Sequence, residues 1–300
     1  MKLTNELKGH YALFASRIFS GLNMNALKFL LPLSIAPLSC VTLRLLFGSL
    51  LFWIIGIFEK PDLSTVADRV KLFFIGAVLV FGYMLLYAVG INYTTPVNFA
   101  ILNATQPIWV FLLSVLFLGE KITSNKVAGI IVAFLGAILC LMSQPDKELA
   151  SDPLLGNILA VVCSLCYAFY LIFTDRLLSR VSNMTMLRYT FLGATLSSLA
   201  ATLFWGFDAP MFVHPHPSKE LLVLLYVLIF PTAVSYLLVP IGLKYLKPTV
   251  VSIYGYLTLF IVTLTSVILG QDKLNDLQIS SLALICLGIF WVSAAERKSN

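Results

Sequence analysis

The titratable side chains of this 300-residue chain avoid its long apolar stretches. All fourteen carboxylates and all three histidines lie in loops, in the tails or at the edges of those stretches. The nearest catalytic candidates, Glu120 and the pair His214 and His216, have no partner at the spacing of a catalytic or metal-binding motif. Cys163 and Cys166 are one helical turn apart, but two ligands do not complete a metal site. The sequence therefore predicts no enzyme, no metal site and no cofactor.

Neutral polar residues occur inside the apolar stretches as pairs three or four positions apart, which places both side chains on one helix face. Amides and hydroxyls in hydrocarbon need partners, so these faces should point into a helical bundle. Hydrogen bonds between helices, worth roughly 0.6 kcal/mol per pair, would also explain them. The residues predicted to line a substrate pathway are Ser20, Asn23, Tyr83, Tyr87, Asn103, Gln106, Tyr167, Tyr170, Tyr236, Tyr254 and Thr258.

Three arginines, Arg17, Arg44 and Arg188, also lie inside apolar stretches. An arginine at a helix centre is disfavoured by about 2.5–3.5 kcal/mol, so it needs a partner or water. One interpretation is that all three snorkel to the nearest headgroups, with Arg17 and Arg44 approaching opposite faces of the membrane. The other is that Arg17 or Arg44 gives a cavity positive potential, which would favour a substrate that bears a carboxylate.

The elements that carry these residues must be membrane helices. Hydrophobic residues make up 59% of the chain and charged residues 11%, with a mean hydropathy of +0.94. A soluble domain averages about 45–50% apolar and about 25% charged residues. Despite the net charge of +6, the Lys and Arg residues are scattered, which excludes a nucleic-acid-binding surface. We therefore expect an integral membrane protein whose partners are the lipid bilayer and a small-molecule substrate, as a monomer or homodimer.

Ten stretches are long enough to cross a hydrocarbon core about 30 Å thick. With the amino terminus inside, thirteen Lys and Arg residues fall in inner segments, four in outer segments and three within spans. The positive-inside rule then places both termini in the cytoplasm, across an inner or plasma membrane. The predicted spans are 10–30, 36–58, 71–91, 96–118, 126–143, 156–178, 184–206, 220–243, 249–269 and 277–294.

The second half of the chain repeats features of the first half in the same order. Tyr93 to Pro96 matches Tyr245 to Pro248 at an interval of 152 residues. Leu43-Arg44, Leu118-Gly119-Glu120 and Leu135-Gly136 have counterparts at Leu187-Arg188, Leu269-Gly270-Gln271 and Leu287-Gly288. Because each unit contains five spans, the second unit enters the membrane from the opposite side. Such inverted repeats are typical of secondary transporters that alternate access to a central site.

The chain resembles the EamA-type branch of the drug/metabolite transporter superfamily over nearly its whole length. The segments that carry the resemblance are Asn103 to Pro107, Leu118 to Lys121 and Thr232 to Tyr245. The second repeat departs from the pattern, with Thr258-Leu259 in place of the usual proline and Gln271 in place of the glutamate. The resemblance implies two tandem EamA repeats, at 1–148 and 149–300. It also implies export or exchange of small metabolites, often amino acids or related compounds, through a cavity between the halves.

These observations predict an all-α membrane protein of ten helices, arranged as two inverted five-helix repeats around a central cavity. The predicted function is alternating-access export or exchange of a small metabolite. The alternatives are an intramembrane lipid-modifying enzyme and a non-transporting membrane protein. Since no Asp, Glu or His lies near the midplane, coupling through a buried carboxylate is not expected. Facilitated diffusion, exchange and an ion held by backbone carbonyls remain open.

Overall fold

The computed structural model describes residues 2–31, 33–59, 62–119, 124–142, 150–213, 218–246, 251 and 254–299. Within these ranges the chain forms ten long helices and no β-strand, in agreement with the predicted all-α architecture. Glu120, His214 and His216 lie outside the described residues. The helices are α1 (Lys2–Leu30), α2 (Pro37–Gly56), α3 (Val66–Tyr93), α4 (Pro96–Leu118), α5 (Ser124–Met142), α6 (Pro153–Asp175), α7 (Asn183–Trp205), α8 (Lys219–Tyr245), α9 (Gly255–Ile268) and α10 (Asp276–Ser299).

Five of these helices, α2, α3, α4, α6 and α8, are each long and apolar enough to cross a membrane. Shorter apolar segments lie in α5, α9 and α10. One helix begins well before its predicted start: α1 begins at Lys2 and not near residue 10. This extension matters for the site, since it places Arg17 in the middle of a 29-residue helix.

Local sequence explains where several helices begin and end. Asp152 caps α6 by accepting a hydrogen bond from the Leu155 amide, and Pro153 occupies the first turn, where no amide donor is required. After the carboxyl-terminal ends of α4 and α9, Gly119 and Gly270 adopt left-handed backbone conformations, with φ of 71° and 67°. Only glycine takes this conformation without steric cost, which explains why both repeats have glycine there.

The interruptions of the helices repeat along with the sequence. A π-helical turn interrupts α3 at Gly76–Val80, and another interrupts α8 at Leu228–Val234. The two turns begin 152 residues apart, the same interval that separates the matching motifs at Tyr93 and Tyr245. The structure therefore agrees with the predicted duplication. The predicted boundary between residues 148 and 149 lies outside the described residues and stays a prediction.

Helix packing follows the same symmetry. Helix α3 packs on α6, and its counterpart α8 packs on α1, which is the counterpart of α6. Likewise α4 packs on α6 while α9 packs on α1. The remaining helices pair with their own counterparts, α2 with α7 and α5 with α10. Two inverted five-helix repeats thus enclose the centre of the bundle.

Helices α3 and α7 approach so closely that two glycines are required at their crossing. A Cβ atom on Gly76 would overlap the carbonyl of Thr190, and one on Gly193 would overlap the carbonyl of Phe73. Neither obstacle is a flexible side chain, so both helices would have to move apart to admit a methyl group.

Candidate functional site

A cavity of about 100 Å³ lies at the centre of the bundle. Its walls come from α1, α2, α3 and α4 of the first repeat and from α6, α8 and α9 of the second. The lining residues are Ser16, Arg17, Ser20, Asn23, Met24, Arg44, Tyr83, Met84, Tyr87, Asn103, Gln106, Cys163, Tyr167, Tyr170, Pro231, Ser235, Tyr236, Val239 and Thr258.

All but one of the residues predicted to line a pathway border this cavity. The exception is Tyr254, whose hydroxyl is 2.7 Å from Nδ1 of His10 near the start of α1. The structure therefore does not bring Tyr254 to the cavity, and its role in substrate binding stays a prediction. In the second repeat the positions that match Asn103 and Gln106 at the interval of 152 are Gly255 and Thr258. Tyr254 precedes the first residue of α9, so the four-residue helical spacing expected to align it with Thr258 does not apply.

The sequence prediction missed seven of the lining residues. Two of them carried a signal, because Ser16 lies one turn before Ser20 and Cys163 lies one turn before Tyr167. No sequence signal marked Met24, Met84 and Val239, because an apolar residue in a membrane helix can face lipid, the core or a cavity. The remaining two missed residues are Pro231 and Ser235.

Arg44 is 4% exposed and faces the cavity from α2. Its Nε donates a hydrogen bond of 2.9 Å to Oγ1 of Thr232 in α8. Thr232 in turn donates to the carbonyl of Val227 at 2.8 Å, within the π-helical turn that contains Pro231. Proline has no amide hydrogen, so it leaves a backbone acceptor in the preceding turn free for such a bond. The π-helical turn thereby orients the Arg44 guanidinium.

Arg17 is 7% exposed and faces the same cavity from α1. One of its terminal nitrogens, Nη2, donates to the carbonyl of Val251 at 3.3 Å. The structure thus contradicts the snorkelling interpretation for Arg17 and Arg44, and both point into the bundle. For Arg17 the reason is the early start of α1, which moves this residue away from the helix end.

Arg188, the sequence counterpart of Arg44, lies outside the cavity. Its guanidinium is 4.2 Å from the centre of the Trp53 ring, and Nη1 donates to the carbonyl of Gly56 at 3.4 Å. The contacts are at the end of α2 and the start of α7, as expected for a residue near a membrane face. The ring and the carbonyl hold the guanidinium in place, while its Nε is buried without a hydrogen-bond partner.

Several buried polar atoms at the cavity have no hydrogen-bond partner. Leaving such an atom unpaired costs about 1–3 kcal/mol, more when the group is charged. Five of the eleven such atoms among the described residues border this cavity, where a bound molecule could complete their hydrogen bonds. These atoms are Nε of Arg17, Oδ1 of Asn23, the hydroxyl of Tyr83, Nε2 of Gln106 and Oγ1 of Thr258.

Aromatic rings form one wall of the cavity. Tyr83 and Tyr167 meet edge to face with ring centres 5.1 Å apart, and Tyr170 lies 5.7 Å from Tyr167. On helix α8 of the second repeat, the Tyr236 ring meets the Phe191 ring edge to face, with ring centres 4.8 Å apart. Tyrosine combines a large apolar surface with a polar tip, so this wall can hold the apolar part of a molecule and still donate hydrogen bonds.

Helix α4 is broken beside the cavity. Its first half ends at Asn103 and its second half begins at Gln106. A pocket of about 20 Å³ adjoins the break and shares Arg17, Asn103, Gln106 and Thr258 with the larger cavity. Discontinuous helices of this kind place backbone dipoles at the substrate site of many transporters. In this chain the amino-terminal end of a half-helix, which carries partial positive charge, borders the cavity.

Polar contacts join the helices at the end of the bundle opposite the start of α1, which we call the distal end. Nζ of Lys28 donates to the carbonyls of Ile91 and Thr94 at 3.2 and 2.8 Å. Asp272 is 3% exposed and accepts from the Val97 amide at 3.2 Å. Burial raises the pKa of the Asp272 carboxyl, although the hydrogen bond from Thr95 and others lower it. These bonds tie α1, α3, α4 and the loop before α10 together.

The other end, which we call the terminal end, is joined by fewer polar contacts. The Ser16 and Ser235 bonds, at 3.5 and 3.2 Å between hydroxyls and backbone carbonyls, lie in the cavity wall and not at this end. The His10–Tyr254 bond joins the first part of α1 to the start of α9. The cavity thus lies between two polar layers that connect helices of different repeats.

Among the described residues, no three His, Cys, Asp or Glu side chains are placed to hold a metal ion. Sγ of Cys163 lies 3.4 Å from the carbonyl of Tyr83, which accounts for this thiol as a packing and hydrogen-bonding group. The chemistry available in the cavity is therefore binding through guanidinium, amide, hydroxyl and ring groups.

A crystal structure with 19% sequence identity has the same fold, with a TM-score of 0.66 and coverage of 98% of this chain and 99% of that chain. The uncharacterized transporter YyaM of Bacillus subtilis (strain 168) is 23% identical over 285 residues, which are 93% of this chain and 92% of the relative. An uncharacterized transporter of Archaeoglobus fulgidus is 27% identical over 206 residues, or 69% and 68% of the two chains.

The family model of the EamA-like transporter family matches this chain twice, over residues 7–142 and 154–294. The two matches coincide with the two five-helix units of the structure. This integral membrane protein belongs to the EamA-like transporter family.

Proposed function

We propose that this transporter exports or exchanges a small metabolite, an amino acid or related compound, by alternating access. The observation that carries the proposal is the central polar cavity, which both repeats line. It has a volume of about 100 Å³ and is bordered by five buried polar atoms that lack partners. A cavity between inverted repeats is the expected place for a transported substrate.

Alternating access requires that each end of the bundle can close and open while the site stays in place. The polar layers at the distal and terminal ends are suited to this, since each joins helices that could separate as units. In the proposed cycle, the bonds of Lys28 and Asp272 break when the distal end opens. The bond between His10 and Tyr254 breaks when the terminal end opens.

We further propose that the terminal end faces the cytoplasm of the cell, across the cytoplasmic membrane. The support is the excess of Lys and Arg in segments at that end, which the positive-inside rule places in the cytoplasm. Substrate would then enter from the terminal end during export.

The cavity also bears on energy coupling. None of its described lining residues is Asp, Glu or His, so they provide no side chain of the kind that carries protons in coupled transporters. This favours exchange or facilitated diffusion over coupling through a buried carboxylate. The same lining disfavours an intramembrane hydrolase or transferase, because its Ser and Cys side chains have no Asp, Glu or His in the lining to act as a base.

Purified protein in liposomes, tested for counterflow with a mixed panel of labelled metabolites, tests the proposal. Two threonines of α9 provide a matched pair of variants, because the hydroxyls of Thr258 and Thr263 are both buried without a partner. Only Thr258 lines the cavity. We expect Thr258→Val to weaken counterflow and Thr263→Val to leave it unchanged. Counterflow absent for every metabolite class, or lost equally in both variants, would contradict the proposal.

A further inference from the structure

We infer that the transported metabolite is an organic anion that binds through a carboxylate between Arg17 and Arg44 and carries no ammonium group. The inference rests on the proposed transport function and selects, among amino acids and related compounds, an acid that lacks the amine. Its basis is the charge of the cavity, since two guanidiniums face it and, among the described residues, no carboxylate does.

Among the described residues, no acidic side chain in the cavity neutralises Arg17 and Arg44. The hydrogen bonds of Arg17 and Arg44 go to a backbone carbonyl and a threonine hydroxyl, both uncharged. In the part of the chain that the structure describes, no Asp or Glu lines the cavity. A buried charge without a counter-charge is unfavourable in a low-dielectric interior. An anionic occupant supplies the missing charge.

Most of the unpaired polar atoms at the cavity can donate a hydrogen bond. Nε of Arg17, Nε2 of Gln106 and the hydroxyls of Tyr83 and Thr258 are donors, and Oδ1 of Asn23 is the one atom of the five that can only accept. The side chain of Gln106 is 4% exposed and lies at the amino-terminal end of the second half of α4. Donors and a helix amino terminus both favour an anion.

The two arginines also favour an acid without an amine over an amino acid. An amino acid would bring an ammonium group into a cavity that already holds two cations and offers no carboxylate to pair with it. The tyrosine rings could attract an ammonium weakly, but both guanidiniums would repel it at short range. An acid without an amine avoids this repulsion, and its apolar part can lie on Tyr83, Tyr167 and Tyr170.

The test uses four compounds with one carbon skeleton and different charges. Isocaproate is an anion, leucine a zwitterion, isocaproamide neutral and leucinamide a cation. Dissociation constants are measured by thermal stabilisation of the purified full-length protein, and transport by counterflow in liposomes. We expect isocaproate to bind most tightly and leucinamide least. Equal or tighter binding of leucine, isocaproamide or leucinamide, or no binding of isocaproate at millimolar concentration, would overturn the inference.

Variants of the arginines then test which residue recognises the carboxylate. Arg44→Gln should weaken isocaproate binding by about 10- to 100-fold, as expected for a lost charge-assisted hydrogen bond. It should change isocaproamide binding by less than about threefold. Arg44→Lys should recover part of the loss, since lysine keeps the charge but not the planar fork. Arg188→Gln is the matched control, because it removes the same charge outside the cavity.

If Arg44→Gln does not fold, Arg17→Gln provides the same comparison on α1. Equal weakening of the acid and the amide in the variant that folds would contradict the inference. The two proposals fail in different ways. Transport of leucinamide or isocaproamide in preference to isocaproate would refute the anionic substrate but leave the proposed transport function intact. Charge-selective binding without counterflow of any compound would keep the anion site and refute alternating-access transport.

Discussion

Arg44 and Thr232 are 188 positions apart in the chain, yet Nε of Arg44 donates to Oγ1 of Thr232 across 2.9 Å. This bond joins α2 of the first repeat to the π-helical turn of α8 in the second repeat. It leaves the two terminal nitrogens of Arg44 available to a substrate. The π-helical turn thus orients Arg44 through the Thr232 hydroxyl, and its Pro231 borders the cavity.

Thr232→Val tests this positioning role, because valine keeps the shape of threonine and removes its hydroxyl. Nε of Arg44 would lose its acceptor, so we expect the free energy of unfolding to fall by about 1–3 kcal/mol. The affinity for the transported substrate should also fall. Thr232→Ser keeps the hydroxyl and should retain most of both properties. Thermal unfolding and substrate binding measured on both variants check this, and equal behaviour of the two would contradict it.

Asn103→Ala and Gln106→Ala should weaken substrate affinity by roughly 3- to 100-fold, the range expected for one lost hydrogen bond to a neutral or charged partner. Their stability should be kept, because neither change empties an apolar core. Tyr254→Phe should do the reverse, since the Tyr254 hydroxyl bonds His10 and not the cavity. Affinity and thermal stability measured on the three variants separate the roles. Loss of stability with unchanged affinity at Asn103 and Gln106 would refute the assignment.

Gly76→Ala should strongly reduce the yield of folded protein, because the added methyl group would overlap the Thr190 carbonyl in α7. Gly82 lies on the same helix, and a Cβ there would meet nothing within 4 Å. Gly82→Ala should therefore fold normally and gain a little from the better helix propensity of alanine. Monodisperse protein recovered in detergent is the measurement. Similar recovery of both variants would mean that α3 and α7 do not cross as described.

The Asp272 carboxyl should make stability depend on pH. Burial raises its pKa above the ordinary value of 3.8, so the folded protein holds this proton more tightly than the unfolded chain. The contribution of Asp272 to the free energy of unfolding should therefore rise as the pH falls from the raised pKa toward 3.8, and be lost as the pH increases.

Comparing the pH dependence of thermal unfolding in the wild type and in Asp272→Asn isolates this contribution. The wild type should gain stability relative to the variant as the pH is lowered through that window. Asp276→Asn is the control, because Asp276 is exposed at the start of α10. A gain of the same size relative to both variants would argue against a special role of Asp272.

Much of the fold was predictable because membrane helices are specified by length and hydropathy, and because duplication leaves matching motifs such as Gly119 and Gly270. The polar residues of the cavity were predictable for a related reason, since an amide in hydrocarbon has few alternatives to facing inward. The placement of Arg17 was not, because the polar residues of 2–9 gave no sign that they extend α1. Tyr254 does not reach the cavity because α9 begins one residue later, at Gly255, so helical spacing does not align Tyr254 with Thr258.

The central claim is that the cavity is reached in turn from the two sides of the membrane. The most direct test places a single cysteine at Ser20 in a chain whose five native cysteines have been replaced. A membrane-impermeant thiol reagent is then applied from each side of oriented proteoliposomes. We predict labelling from both sides, with substrate on the far side of the membrane slowing the reaction. Labelling from one side alone, whichever side holds substrate, would contradict alternating access through this cavity.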